Sequence, residues 1–135
     1  MTECNCSCQP ENACDCSSGN GVVMVLSCSG GSNVGQIANS AAVELDKRGI
    51  AKLYCLIGVA AHIPGMVDSA KSASRVIAID GCPVACAKTA LDHIGIPVSQ
   101  HIVLTELGIE KNHVFEWSAE QVETTLNAVV VPASE

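Results

Sequence analysis

The side chains best able to do chemistry in this chain are nine cysteines, and four of them lie in an otherwise apolar stretch: Cys28, Cys55, Cys82 and Cys86. The steps from Cys28 to Cys55 and from Cys55 to Cys82 are both 27 residues. A strand–helix unit has about that length, somewhat under the ~30 residues of a full strand–helix–strand motif. The spacing therefore predicts one cysteine at or near the end of each of three successive strands, with Cys86 on the next helical turn. In an open parallel sheet those ends share the edge where ligands bind. Four thiolates converging there suit a tetrahedral zinc ion, at Zn–S distances of about 2.3 Å. The same four ligands also suit an iron–sulfur cluster. Cys55 is the least secure of the four, because a second strand written over residues 51–57 would bury it inside the sheet.

The last two cysteines belong to the run Asp80-Gly81-Cys82-Pro83-Val84-Ala85-Cys86-Ala87-Lys88. An apolar, β-branched segment leads into it and a helical pattern leads out. Pro83 fits a first helical turn, which would put Cys82 and Cys86 on one helix face. A helix start also favours thiolate over thiol. A second reading follows, a thiol redox or transfer enzyme with Cys82 as nucleophile and Cys86 as resolving thiol. The C-x-x-x-C spacing is looser than C-x-x-C, and no arginine of a phosphatase-type cysteine loop lies near Cys82. Four protein ligands would leave zinc no water to activate, so the balance is towards binding rather than catalysis.

Other polar residues read more blandly. Asp80 orders the loop by accepting N–H groups, with general base as the alternative. Lys88 points away from the cysteine face of a helix, and His93 lies about 10 Å along the axis from Cys86. His62 reads as a loop residue at the correct edge. His101 falls inside a strand and His113 in an ambiguous stretch, and neither points to a site. Ser29-Gly30-Gly31-Ser32-Asn33-Val34-Gly35 lacks the spacing of a nucleotide-binding loop.

Residues 1–20 form a separate Cys-rich tail with Cys4, Cys6, Cys8, Cys14 and Cys16 among polar residues. It has too little apolar surface to fold alone. Its C-x-C repeats would share soft metals, which gives a possible second metal site and a third reading, a metal buffer or chaperone. Seven basic residues against fourteen acidic ones, a net charge of −7, exclude the basic patches that nucleic acid or an anionic membrane requires. No apolar run reaches the length of a membrane span, and no signal peptide is evident at the N-terminus. A cytoplasmic protein is expected, where free or metal-bound thiols outnumber disulfides.

Residues 21–135 make the domain. Val22-Val23-Met24-Val25-Leu26 reads as a strand buried on both faces. Val34, Ile37, Ala38, Ala41, Ala42 and Leu45 mark one helix face, capped by Ser32 or Asn33 and closed near Gly49. Strands follow over 51–57, 75–80 and 98–104, with helices over 64–73 and to about 94. Residues 105–117 are ambiguous, and a last helix opens with the capping box of Ser118 and Gln121. This alternation predicts a single three-layer α/β domain with a four-stranded parallel, Rossmann-like sheet. With three aromatics in the chain, the core must be aliphatic.

The Asp-Gly-Cys motif at Asp80, Gly81 and Cys82, the following Cys86, the segment Ser27-Cys28-Ser29-Gly30-Gly31 and the isolated Cys55 together resemble the DGC domain family. The resemblance covers roughly residues 21–131 and not the tail. It implies zinc held by Cys28, Cys55, Cys82 and Cys86, and it implies no reaction.

Overall fold

The aliphatic run after Gly21 becomes β1 (Val23–Ser27), the first of four strands in a computed structural model that describes residues 21–130. The N-terminal cysteines Cys4, Cys6, Cys8, Cys14 and Cys16 lie outside the described residues. The chain continues through α1 (Asn33–Lys47), β2 (Lys52–Leu53), α2 (Leu56–Ala60), α3 (Pro64–Lys71), β3 (Arg75–Asp80), α4 (Cys86–Ile94) and β4 (Gln100–Val103). A short 3-10 turn (Leu104–Leu107) and α5 (Ala119–Asn127) complete it. The sheet is four-stranded and parallel throughout, in the order β2-β1-β3-β4.

Alternation along the strands divides the core into two layers. Val25, Ile77, Ile79 and Ile102 face α1 and α5, where they meet Val34, Ile37, Ala41 and Leu45. Met24, Leu26, Val76 and Ala78 face the other way, against Val59, Ala70, Ala87 and Leu91 of α2, α3 and α4. These side chains are aliphatic, as the composition required, and Phe115 and Trp117 stay exposed. Ser32 caps α1 by accepting from Gly35 N. Ser118 and Gln121 close the capping box of α5 in both directions.

Two differences from the sequence expectation bear on the cysteine edge. The second strand is two residues long, not seven. As an edge strand it has one neighbour. Its Leu53 N–H is taken by the Asp46 carboxylate at 2.7 Å, and Tyr54 N makes its last bond to β1, at Val25 O. The chain then turns into α2, with Cys55 at its N-cap.

The second difference is in the motif itself. Cys82 and Cys86 do not share a helix. Ala85 N donates to Cys82 O at 3.0 Å, closing a β-turn with Pro83 at its second position. Ala85 then takes a left-handed conformation (φ 54°), and α4 starts only at Cys86. Pro83 therefore marks a turn rather than a helix start. Gly81 is fixed by close approach: a Cβ there would lie 2.7 Å from the Val34 carbonyl carbon and 2.8 Å from Gly35 N. The Asp-Gly-Cys turn thus rests directly on the first turn of α1.

Candidate functional site

β1 runs on one side to β2 and on the other to β3, so the strand order reverses between β1 and β3. In sheets of this kind that switch opens a crevice at the carboxyl ends of the strands. Cys28 follows the last residue of β1, and its N–H donates to Ile79 O of β3 at 2.9 Å. Cys82 stands two residues beyond the end of β3, and Cys55 two residues beyond the end of β2. The 27-residue period thus puts three cysteines at the ends of three adjacent strands. Cys55 lies outside the sheet interior, exposed at the start of α2.

Cys28, Cys55 and Cys86 line one cavity of about 570 Å³, together with Tyr54, Leu56 and Asn39 among others. Burial pushes the Cys86 thiol above its ordinary range, and Cys28, Asp80 and Cys82 push it further in that order, against a hydrogen bond with its own backbone that lowers it. Cys86 is therefore near enough to Cys28 and Cys82 for a thiolate at either to oppose its own ionisation. The sulfurs are not drawn together, however. Among the described residues no three His, Cys, Asp or Glu side chains are gathered as a metal site requires. Three of the four sulfurs instead accept local donors: Cys28 from Gly30 N at 3.3 Å, Cys55 from Gly58 N at 3.4 Å, and Cys82 from the Lys111 ammonium at 3.6 Å.

Asp80 organises this edge. It is the last residue of β3 and 1% exposed. One carboxylate oxygen accepts from Ala87 N at 2.8 Å and the other from Lys88 N at 3.1 Å. The helix has no side-chain cap of its own, so a strand residue supplies the cap for α4. A negative charge is also favourable at that helix end. The loop-ordering role expected for Asp80 is the one observed. Its third partner is His101 on β4, whose Nε2 lies 2.8 Å from Oδ2. In the sequence His101 falls within a strand and points to no site. Pairing of β3 with β4, with Ala78 opposite His101, is what brings it within reach of Asp80.

Lys111 is the other residue that the sequence did not single out. Its segment is strapped to the start of α1 by Asn33, which is 2% exposed. Asn33 Nδ2 donates to Glu110 O at 2.8 Å, and Asn33 Oδ1 accepts from Asn112 N at 2.7 Å. The backbone adds a bond from Asn33 N to Asn112 O at 3.0 Å. His113 Nδ1 sits 3.0 Å from Gly31 O. The ambiguous stretch is therefore a strap that carries an ammonium to Cys82. Replacing Asn33 with alanine would remove both side-chain hydrogen bonds to the strap, at a cost of about 0.5–1.5 kcal/mol each. Hydrogen exchange should quicken at Asn112 while the β3 amides stay protected, and unchanged protection at Asn112 would refute the strap.

Of the remaining candidates, Lys88 pairs with Asp92 at 2.7 Å on the exposed side of α4. Ser29 to Gly35 forms the cap of α1 and the turn that frees Cys28. No helix among the described residues is long and apolar enough to cross a membrane.

A family model described as "DGC domain" matches residues 24–129. A protein of Pseudomonas aeruginosa described as "Anaerobic and virulence modulator AnvM" is 36% identical over 100 residues, covering 74% of this chain and 76% of that protein. No solved structure matches the chain.

Proposed function

The chain belongs to the DGC domain family, and from that premise we propose that it is a metal-binding domain whose ligands for zinc are Cys28, Cys55, Cys82 and Cys86. The observation that carries the reading is the position of all four at one sheet edge, three of them on adjacent strand ends at the switch in strand order. The donor set fits a thiophilic ion in kind and in number. The sulfurs stand apart in the present arrangement, so they would have to turn inward about the ion. Gathering the four sulfurs as thiolates would cost mutual repulsion that a cation between them would offset.

The surroundings would support such an ion. Four thiolates on Zn²⁺ carry a net charge of −2. The Gly30 and Gly58 N–H groups and the Lys111 ammonium, now on Cys28, Cys55 and Cys82, would offset part of it. The first turn of α4 adds its positive end beside Cys86, and Asp80 and His101 hold that turn in place. A closed set of four protein ligands would leave the metal structural or sensory rather than hydrolytic.

The redox alternative is weaker on geometry. It needs Cys82 at a helix start, and the helix begins at Cys86, whose thiol is pushed towards the protonated form. A sensory role accords with the description of the Pseudomonas aeruginosa relative as an anaerobic modulator, since oxidised thiols release their metal.

An anomalous-scattering map across the zinc edge, from crystals of the full-length protein grown with zinc, tests the proposal. One zinc peak bonded to the four sulfurs is the expected result. A peak elsewhere, or occupancy unchanged in Cys28→Ser, would overturn it.

A further inference from the structure

We propose that His62 and His93 form a second, open site for a divalent transition metal on the α2–α4 flank of the cysteine edge. The two rings come from different elements and are both exposed. Their centroids are 5.4 Å apart with planes at 74°. Two imidazoles bound to one tetrahedral ion, each nitrogen about 2.0–2.1 Å from it, place their centroids about 5 Å apart. The observed centroid separation is close to that distance, and the ring torsion that would turn the nitrogens towards a shared ion is broad for histidine.

The backbone at His62 gives an independent reason to assign it a role. α2 ends in a Schellman motif: His62 N donates to Val59 O at 3.0 Å and Ile63 N to Gly58 O at 3.1 Å. His62 occupies the left-handed position of that motif, with φ 61°. Glycine is the usual residue there, because a side chain carries a steric cost. The sequence keeps an imidazole at that cost and aims it at His93. Histidine at 93, near the end of α4, would alone be explained by the helix dipole. The ring pair would not.

No third His, Cys, Asp or Glu completes the site among the described residues. Solvent would fill the other positions, so the ion would exchange quickly. His93 and Cys86 line the same cavity of about 360 Å³, with Ala60 and Val84 between the two helices. His93 lies about 10 Å along α4 from Cys86, so a metal held at the histidines would be separate from the four cysteines. Imidazole pairs accept Zn²⁺, Ni²⁺ and Cu²⁺ alike. The site does not depend on how the cysteines are used.

The test is a Zn²⁺ titration of the full-length protein, continued past saturation of its thiols and followed by imidazole NMR. His62 and His93 should shift together and saturably, while His101 and His113 stay fixed. In His62→Asn the response of His93 should weaken by roughly tenfold or more, as chelation is lost. His62→Gly should lose the response as well, yet melt at a higher temperature, because glycine suits the left-handed position. An undiminished His93 response in either variant overturns the site. So does a lower melting temperature in His62→Gly, which would make the ring pair a packing contact.

Discussion

Asp80→Ala should lower the stability of the domain by about 2–4 kcal/mol, because three hydrogen bonds to one buried charged acceptor are lost. The carboxylate accepts Ala87 N, Lys88 N and His101 Nε2 at 2.8–3.1 Å and is almost wholly shielded from water. Alanine would leave two amides at the start of α4 and one imidazole without their acceptor. Each orphaned buried group costs about 1–3 kcal/mol, and water entering the gap would recover part of it. Asp80→Asn should cost less, since its carbonyl oxygen still accepts one amide while its NH₂ faces a donor. Urea unfolding reads both. The alanine substitution also frees the first turn of α4, and with it Cys86, from the end of β3. A loss under about 1 kcal/mol for the alanine variant would mean that Asp80 is not the anchor of α4.

Zinc should make the larger change. A ligand that binds only the folded chain stabilises it by about 4 kcal/mol at a thousandfold excess over Kd, and structural zinc sites reach apparent binding energies of roughly 10–16 kcal/mol. A chelator should return the protein to its metal-free unfolding midpoint. Cys82→Ser should remove most of the gain. A midpoint that zinc does not move, or that moves equally in Cys82→Ser, would rule out the four-cysteine site.

The pH dependence has a definite sign. The Cys86 thiol is raised in the folded protein by burial and by Cys28, Asp80 and Cys82. Its contribution to the metal-free protein is therefore present at neutral pH and is lost as pH rises through the raised thiol range, where the unfolded chain ionises first. Zinc binding must expel the same proton, so its affinity should rise with pH over that interval. Metal-free and zinc-loaded unfolding midpoints should diverge in alkaline buffer. Parallel curves would contradict the assignment of Cys86 as a ligand.

How far each element could be read in advance follows from how local its cause is. β1, α1 and α5 were legible because their signals are short-range. An unbroken aliphatic run, a helical stripe from Val34 to Leu45, and the Ser118–Gln121 capping box each lie within a few turns of chain. The parallel sheet followed from repeated alternation. Residues 51–57 are apolar enough for a longer strand, but β2 ends early because Asp46 and the Cys55 cap set its end. α4 was begun too early because Pro83 suits a β-turn as well as a first helical turn. What separates the two is a carboxylate reaching from β3 to Ala87 and Lys88.

The cysteine edge divides the same way. The spacing of Cys28, Cys55 and Cys82 pointed to positions at or near three strand ends, because the length of a strand–helix unit is itself a local property, while Cys55 was left between a strand end and the sheet interior until β2 proved short. Tertiary structure alone decided that β1 lies between β2 and β3. It alone brought His101 to Asp80, Lys111 to Cys82, and His62 to His93. The partners in those pairs are 21, 29 and 31 positions apart in the chain. The strand–helix period places strand ends but not which side chains meet across strands and loops, since strand order and loop path set those contacts. The run from Asp80 to Lys88 was therefore legible as a place for sulfur chemistry, while its companions became identifiable only once the sheet had folded around it.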